Sequence, residues 1–178
     1  MSSASPESSP SNHTGGHADP PFFPVSILKL VVLATCTVGL YELYWFYRTW
    51  RLVREREGLD IRPFWRAFFA YFFCYSMFAR IRDFPSEGAG TSRLLAGPLA
   101  AGWIITTLLW KLPDPYWLLC WLAVLFIVPV QLTAIRVNEV VAPAHDRNAR
   151  FSPANWLTAI VGGVFCLLAV IGAFIPDS

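Results

Sequence analysis

Charged residues are scarce in this chain of 178 residues, where Asp, Glu, Lys and Arg together make up 15% of the sequence. Soluble domains carry roughly a quarter charged residues, so this shortage argues against an ordinary soluble protein. The net charge of +2 is too small to predict a nucleic-acid partner. Hydrophobic residues make up 55% and aromatic residues 16%. That composition is typical of membrane proteins, in which Trp and Tyr gather at the interfaces.

The sequence also lacks the motifs that metal centres and common active sites require. Its four cysteines stand singly in apolar segments and form no C-x-x-C pair, so neither a zinc site nor a redox pair is predicted. No H-E-x-x-H, G-x-S-x-G or Walker sequence occurs. His145 and Asp146 are adjacent in a loop, but no second cluster supports catalysis or metal binding there. We therefore predict a protein that is not an enzyme and that has no cofactor.

Five apolar segments follow an N-terminal tail. Residues 1–22 are rich in Ser, Pro and Gly and lack apolar periodicity, so we predict a disordered tail, followed by a single helical domain over residues 23–178. A membrane-spanning helix needs about 20 apolar residues. Four segments come close enough to this length to be predicted as spans: residues 25–47, 94–112, 116–136 and 155–175.

The distribution of arginine decides how the remaining segment, residues 63–80, is placed. Cytoplasmic loops carry the excess of Lys and Arg. If this segment crossed the membrane, the basic residues other than Lys29 would divide seven against six between the two sides. If it does not cross, all twelve arginines lie on the cytoplasmic side, and Lys29 and Lys111 lie near the outer side. We therefore predict an all-α membrane protein with four transmembrane helices plus one aromatic-rich interfacial or re-entrant helix, with both termini outside.

Polar residues within or beside the apolar segments are the candidates for a functional role. Glu42 is the one acid inside an apolar segment, and such residues are costly enough to be functional candidates. It is predicted to bind a proton or cation, or to meet an arginine such as Arg66 near the interface. Gln131 is predicted to hydrogen-bond between helices. A further set of arginines is predicted to face anionic lipid headgroups: Arg48, Arg51, Arg54, Arg80 and Arg82.

The stretch TCTVGLYELYWFYRTW, residues 35–50, carries a resemblance to known proteins. It resembles a signature of small bacterial multi-span membrane proteins, in which T-x-G-[IL]-Y-x-x-Y-W-x-Y closes the first helix before a basic segment. The stretches PFWRAFFAYFFCYSMFARI, VNEVV and NARFSPANW extend the likeness over most of the chain. This group is functionally uncharacterised. The resemblance therefore implies a helical bundle in the bacterial cytoplasmic (inner) membrane and lends no catalytic residues.

These features favour an integral membrane protein with an accessory or interaction role, which presents an arginine-rich face to the cytoplasm. The predicted partners are the anionic lipid bilayer and a membrane protein, which is either a different protein or a second copy of this chain. The alternative is a small transporter or channel subunit that uses Glu42 as an intramembrane ionisable site. The two hypotheses differ because a transporter normally places several polar side chains at mid-bilayer.

Overall fold

The computed structural model describes residues 19–85 and 93–174, and within these ranges the chain is helical and has no strands. The all-α class is therefore confirmed for this part of the chain, whereas residues 1–18 of the predicted tail lie outside it. The α-helices in these ranges are α1 (Ile27–Cys36), α2 (Leu40–Glu57), α3 (Pro63–Phe68), α4 (Ala70–Arg82), α5 (Ala96–Leu108), α6 (Val124–Val141) and α7 (Pro153–Ala173). Two 3-10 helices, Leu109–Lys111 and Tyr116–Ala123, connect α5 to α6.

Two helices in the described ranges are long and apolar enough to cross a membrane, where the sequence predicted four. One is the continuous helix Tyr116–Val141, which includes α6, and the other is α7. The predicted span over residues 94–112 contains α5, whose 13 residues rise only about 20 Å. The segment predicted as one interfacial helix is divided at Phe69 into α3 and α4.

The turn Thr37-Val38-Gly39 reverses the chain, so α1 and α2 form a helical hairpin rather than the single predicted span. Val38 and Gly39 have φ angles of 50° and 85°, a left-handed conformation that glycine tolerates best. The Thr37 hydroxyl donates to the Leu33 carbonyl at 2.7 Å and accepts from the Tyr41 N–H at 2.9 Å. One side chain thus closes α1 and caps the start of α2.

Contacts between the two ends of the hairpin show that α2 returns to the level at which α1 begins. Arg56 Nη1 donates to the Pro21 carbonyl at 2.9 Å, and its guanidinium lies 5.1 Å from the centroid of the Phe22 ring. Tyr44 packs edge-on against Phe23, with 5.8 Å between ring centroids. In one straight helix, positions 23 and 56 would lie about 50 Å apart. The apolar stretch of the first predicted span therefore runs in one direction as α1 and returns as α2.

The N-terminal segment before α1 belongs to the core. Phe22 is fully buried and exchanges two hydrogen bonds with Asn138: its N–H donates to Oδ1 at 3.0 Å, and Nδ2 donates to its carbonyl at 2.9 Å. The predicted tail ended at residue 22, but Pro21 and Phe22 are buried. The sequence also placed this segment opposite the arginines, whereas its contacts with Arg56 put it beside them.

Polar contacts between helices are concentrated at one end of the bundle. This end is formed by the ends of α2, α4 and α6 and the starts of α1 and α7, and we call it the arginine end. Arg80 pairs with Glu57 and so joins the end of α4 to the end of α2. Lys29 Nζ donates to Asn148 Oδ1 at 2.8 Å and so joins the start of α1 to the loop before α7. The Phe22 hydrogen bonds add the end of α6. The connection between α5 and α6 lies at the opposite end.

Helix α7 packs along α1 and leaves most of its surface uncovered. Its start is capped, because the Ser152 side chain accepts a hydrogen bond from the Asn155 N–H at 3.2 Å. The two helices approach closely at Gly162, where an added Cβ would lie 2.1 Å from the Cys36 carbonyl oxygen. Only 6% of the apolar stretch of α7 is buried within the molecule. The helix is thus fastened along one narrow side.

Candidate functional site

Gln131 of α6 holds the N-terminal segment and α2 together through buried hydrogen bonds. Its Oε1 accepts from Trp45 Nε1 at 2.7 Å, and its Nε2 donates to the carbonyls of Val25 at 2.9 Å and Phe23 at 3.2 Å. Gln131 and Trp45 are both fully buried. A buried amide is costly unless its polar atoms are satisfied, and here both ends of the amide have partners. Gln131 therefore connects three parts of the chain.

Glu42 lies in the first turn of α2, and its carboxylate is buried against α5. Oε2 accepts a hydrogen bond from Trp103 Nε1 at 2.7 Å, and only 4% of the residue is exposed. Trp103 in turn packs on Phe46 and Tyr71, with ring centroids 5.1 and 5.4 Å away. No ion pair joins Glu42 to any Lys or Arg in the described ranges. The carboxylate therefore has a neutral donor as its partner.

Arg66 does not meet Glu42 but lies over aromatic rings of α2 and α4. Its guanidinium carbon is 4.5 Å from the centroid of Trp50 and 5.0 Å from that of Phe73, which are cation–π distances. Burial, followed by the positive charge of Arg80, lowers the pKa of Arg66 below its usual value. The pairing with Glu42 that the sequence suggested is not formed, because the two residues face different parts of the aromatic core.

The five arginines that the sequence placed against lipid have different surroundings. Arg48 lies over the Phe23 ring, 5.3 Å from its centroid, and Arg54 is exposed on the surface of α2. The other three pair with acidic neighbours: Arg51 with Glu55 at 2.8 Å, Arg80 with Glu57, and Arg82 with Asp83 at 2.7 Å. These pairs reduce the charge that the surface of α2 and α4 offers to a headgroup.

A second polar site, which the sequence did not single out, surrounds Lys29. The residue is 4% exposed, and its Nζ donates to Asn148 Oδ1 at 2.8 Å and to the Arg150 carbonyl at 3.0 Å. Asn148 has a φ of 47°, and its N–H donates to Asp146 Oδ1 at 2.8 Å. The neighbouring His145 Nδ1 lies 2.5 Å from a backbone carbonyl of the same loop. The adjacent His and Asp therefore shape the loop that holds Lys29.

A cavity of about 430 Å³ opens beside Lys29. Residues of α1, α2, the loop before α7 and α7 itself line it, and they include Lys29, Tyr41, Tyr44, Asn148, Arg150 and Asn155. The two tyrosines belong to the T-x-G-[IL]-Y-x-x-Y signature, and their spacing of three places them on one face of α2. That spacing is the signal that points to this site from the sequence. Within the described ranges, no carboxylate forms an ion pair with either basic residue.

An apolar groove of about 750 Å³ lies between the hairpin turn and α7. Its walls come from the two sides of that junction and include Cys36, Val38, Leu40, Leu157, Val161 and Phe165. The groove lies farther from the arginine end than the Lys29 cavity, because Cys36 and Gly162 follow Lys29 and Asn155 along their two helices. A polar cavity and an apolar groove thus share the edge between α1, α2 and α7.

Over residues 19–85 and 93–174 the chain is all-helical, and two of the helices in these ranges are suited by length and composition to crossing a membrane. Across residues 19–85 and 93–174, no group of three or more His, Cys, Asp or Glu side chains could hold a metal ion. Comparisons of the chain with protein-family models, with curated proteins and with solved structures gave no match. The resemblance to small bacterial multi-span membrane proteins stays a prediction, and its T-x-G element forms the turn of the hairpin.

Proposed function

We propose that this chain is an integral, multi-pass protein of the bacterial cytoplasmic membrane with a non-enzymatic accessory or interaction role. The observation that supports this most is helix α7, a predominantly apolar helix of 21 residues in which Cys166 is the one residue that is fully buried within the described part of the molecule. Exposed apolar surface of this extent marks a membrane or partner surface. A bilayer covers such a helix on all its open sides, and a partner helix covers it on one.

In this proposal the first predicted span does not cross the membrane. The α1–α2 hairpin enters from the cytoplasmic side and returns, while the helix Tyr116–Val141 and α7 cross. The segment over residues 94–112 also crosses, because the 3-10 helix Leu109–Lys111 continues α5 and the two together rise about 25 Å. Residues 19–25 then lie in the cytoplasm and the C-terminus lies outside. Twelve arginines and Lys29 are then cytoplasmic and Lys111 is outside, so thirteen of the fourteen basic residues obey the positive-inside rule.

Two measurements test the membrane location and the orientation. Alkaline carbonate extraction is expected to leave the protein in the membrane pellet, because integral helices resist release. Green fluorescent protein at the N-terminus is expected to fluoresce, and alkaline phosphatase fused after Ser178 is expected to be active outside. Release by carbonate contradicts the membrane location. An N-terminal tag that external protease removes contradicts the hairpin topology.

The interaction role is tested on the intact protein in mild detergent. Affinity purification followed by native mass spectrometry is expected to give a stoichiometric complex, either with another membrane protein or between copies of the chain. Two variants on α7 distinguish its open surface from its anchored start. Val164→Trp changes the open surface, and Asn155→Gln changes a residue near the start. Loss of the complex in the first variant alone supports α7 as the interface. A protein that is monomeric and without a partner contradicts the interaction role.

A second function, ion or proton translocation through Glu42, has one observation in its favour. The carboxylate is buried, it accepts a hydrogen bond from the neutral indole of Trp103, and no Lys or Arg of residues 19–85 and 93–174 forms an ion pair with it. Flux into proteoliposomes provides the test, with Glu42→Gln as the variant and Glu55→Gln, an exposed acid on the same helix, as the control. Translocation predicts flux that Glu42→Gln abolishes and Glu55→Gln preserves. The accessory role predicts no flux from any of the three proteins.

A further inference from the structure

We propose that the Lys29 cavity and the adjoining apolar groove form one binding site for an anionic phospholipid. The phosphate would lie in the cavity beside Lys29 and Arg150, and an acyl chain would lie in the groove between the hairpin turn and α7. This inference rests on the proposed membrane location and adds a specific site to it. The site differs from the arginines predicted to face lipid, several of which are paired with acidic neighbours.

The polar half of the site holds two cations, Lys29 and Arg150, and one nearby carboxylate, that of Asp146, which acts on Lys29 through space without forming an ion pair. Lys29 is almost fully buried, and its described partners are the neutral oxygens of Asn148 and Arg150. Those oxygens satisfy hydrogen bonds but carry no charge, and the single carboxylate of Asp146 is fewer than the two cations of the cavity; buried charge that is not balanced is costly. The Arg150 side chain also forms no ion pair with any residue in the described ranges. An anion in the cavity supplies the missing charge through charge-assisted hydrogen bonds.

Two tyrosines give the cavity further hydrogen-bonding groups. Tyr41 and Tyr44 come from the returning helix of the hairpin and line the cavity opposite the loop before α7. Their hydroxyls both donate and accept hydrogen bonds, so they suit phosphate oxygens and the hydroxyls of a glycerol headgroup. The hairpin turn is what brings these two residues next to Lys29, since α2 runs back alongside α1. The T-x-G element of the signature therefore builds the site by reversing the chain.

The apolar half of the site identifies the ligand as a lipid rather than free phosphate. The linings of the groove and the cavity are neighbours along α2 and α7, since Leu40 and Leu157 of the groove lie one and two positions from Tyr41 and Asn155 of the cavity. The groove is apolar at Leu40, Leu157 and Phe165. A phospholipid has the same order of parts, with an anionic head and then an acyl chain. Because α7 is open to its surroundings along most of its surface, a lipid can enter this edge from within the bilayer.

The test uses the full-length protein in mild detergent and measures bound ligand by native mass spectrometry. The probes are phosphatidylglycerol, phosphatidylcholine and inorganic phosphate. Arg150→Gln removes one cation from the cavity, and Arg147→Gln is its control, because Arg147 lies in the same loop but pairs with Glu139 at 3.2 Å. Thr158→Trp fills the apolar groove, and Val164→Trp adds the same ring on the open side of α7 as its control.

The expected result is binding of phosphatidylglycerol in preference to phosphatidylcholine. Arg150→Gln should weaken it about fivefold, the effect of losing one cation near an anionic headgroup. Thr158→Trp should weaken the binding of both lipids, whereas the two control variants should bind them as the original protein does. Equal binding of the two lipids, or Arg150→Gln acting no more than Arg147→Gln, overturns the inference. Tight binding of inorganic phosphate that Thr158→Trp leaves unchanged assigns the cavity to a free anion and also overturns it.

Different results contradict the membrane location and the lipid site. If carbonate releases the protein from membranes, the membrane location fails and the lipid site fails with it. If the protein stays in the membrane pellet but shows no lipid preference, the lipid site alone fails. Lys29 is left unchanged in these experiments because it also fastens the loop before α7. A loss of binding in Arg150→Gln is therefore not a consequence of loosening that loop.

Discussion

Two apolar stretches of similar length follow opposite paths in this molecule. Residues 25–46 fold back at Thr37-Val38-Gly39 into a hairpin, whereas residues 153–173 continue as the single helix α7. Both stretches contain glycine near the middle, since Gly162 and Gly163 lie inside α7. Gly39 adopts a left-handed conformation and Gly162 a helical one. Glycine therefore permits a reversal of the chain without requiring it.

The neighbours of the two stretches explain the difference. The returning half of the hairpin is held by buried polar contacts, with Trp45 donating to Gln131 and Glu42 accepting from Trp103. Helix α7 gains its contact differently, because the missing side chain at Gly162 lets its backbone approach Cys36. Length and hydropathy alone do not distinguish the stretch that forms a hairpin from the stretch that forms a single helix. The path is decided by partners that lie far away in the sequence.

The largest expected effect comes from removing the polar anchor of the hairpin. Gln131→Leu leaves the Trp45 N–H and the carbonyls of Phe23 and Val25 without their buried partner. Each such group costs about 1–3 kcal/mol, so the free energy of unfolding in detergent micelles should fall by roughly 3 kcal/mol or more. Thr133→Val is the control, because that hydroxyl bonds only within its own helix. Equal losses in both variants contradict the anchoring role.

The next effect concerns the contact that holds α7. A Cβ at position 162 would lie 2.1 Å from the Cys36 carbonyl oxygen and 2.8 Å from its carbon. These are backbone atoms, so Gly162→Ala must push α1 and α7 apart, at a cost of about 1–3 kcal/mol. Gly163→Ala is a close control, because its Cβ would lie 3.9 Å from the Cys36 sulfur. Gly162→Ala should unfold at a clearly lower temperature than Gly163→Ala, and equal unfolding midpoints would refute the close approach of α1 and α7.

A smaller effect is expected at the turn of the hairpin. Gly39 has a φ of 85° and nothing within 4 Å of an added Cβ, so Gly39→Ala introduces backbone strain without a clash. The left-handed conformation costs about 1–2 kcal/mol for a residue with a side chain, and the unfolding free energy should fall by that amount. Gly172→Ala, which has equal space and no positive φ, should be neutral or stabilising. A stabilising Gly39→Ala would show that the turn is not left-handed.

The smallest effect is electrostatic and lies at the arginine end. Burial raises the pKa of Glu57, but hydrogen bonds from Arg56 and Arg80 outweigh it, and the net shift is downward from 4.5. A carboxylate with a lowered pKa stabilises the fold above its unfolded pKa, and that contribution is lost as the pH falls through the folded value. Glu57→Gln should therefore destabilise the protein by less than about 1 kcal/mol at pH 7. The difference should vanish in acid, and a difference that persists there contradicts the pairing.

Local chemistry determines the helix ends, whereas distant contacts determine the paths between them. Gly58 ends α2 in a left-handed conformation and Ser152 caps α7, as their local chemistry indicates. Glu42 and Gln131 could be singled out because each is polar within an apolar segment. Their partners could not, because Trp103 and Val25 lie 61 and 106 residues away. The Lys29 site was missed because a straight first helix puts Lys29 far from Asn148.

The two hydrogen bonds between Phe22 and Asn138 have a consequence for how the protein is made. The two residues are 116 positions apart, so the N-terminal segment leaves the ribosome long before its partner exists. At synthesis rates of about 5–20 residues per second, the interval is roughly 6–23 s. During that time the hairpin can form its turn, but it lacks the hydrogen bonds from Gln131 and Asn138 of α6. The N-terminal segment therefore stays without these contacts until α6 emerges and closes the bundle.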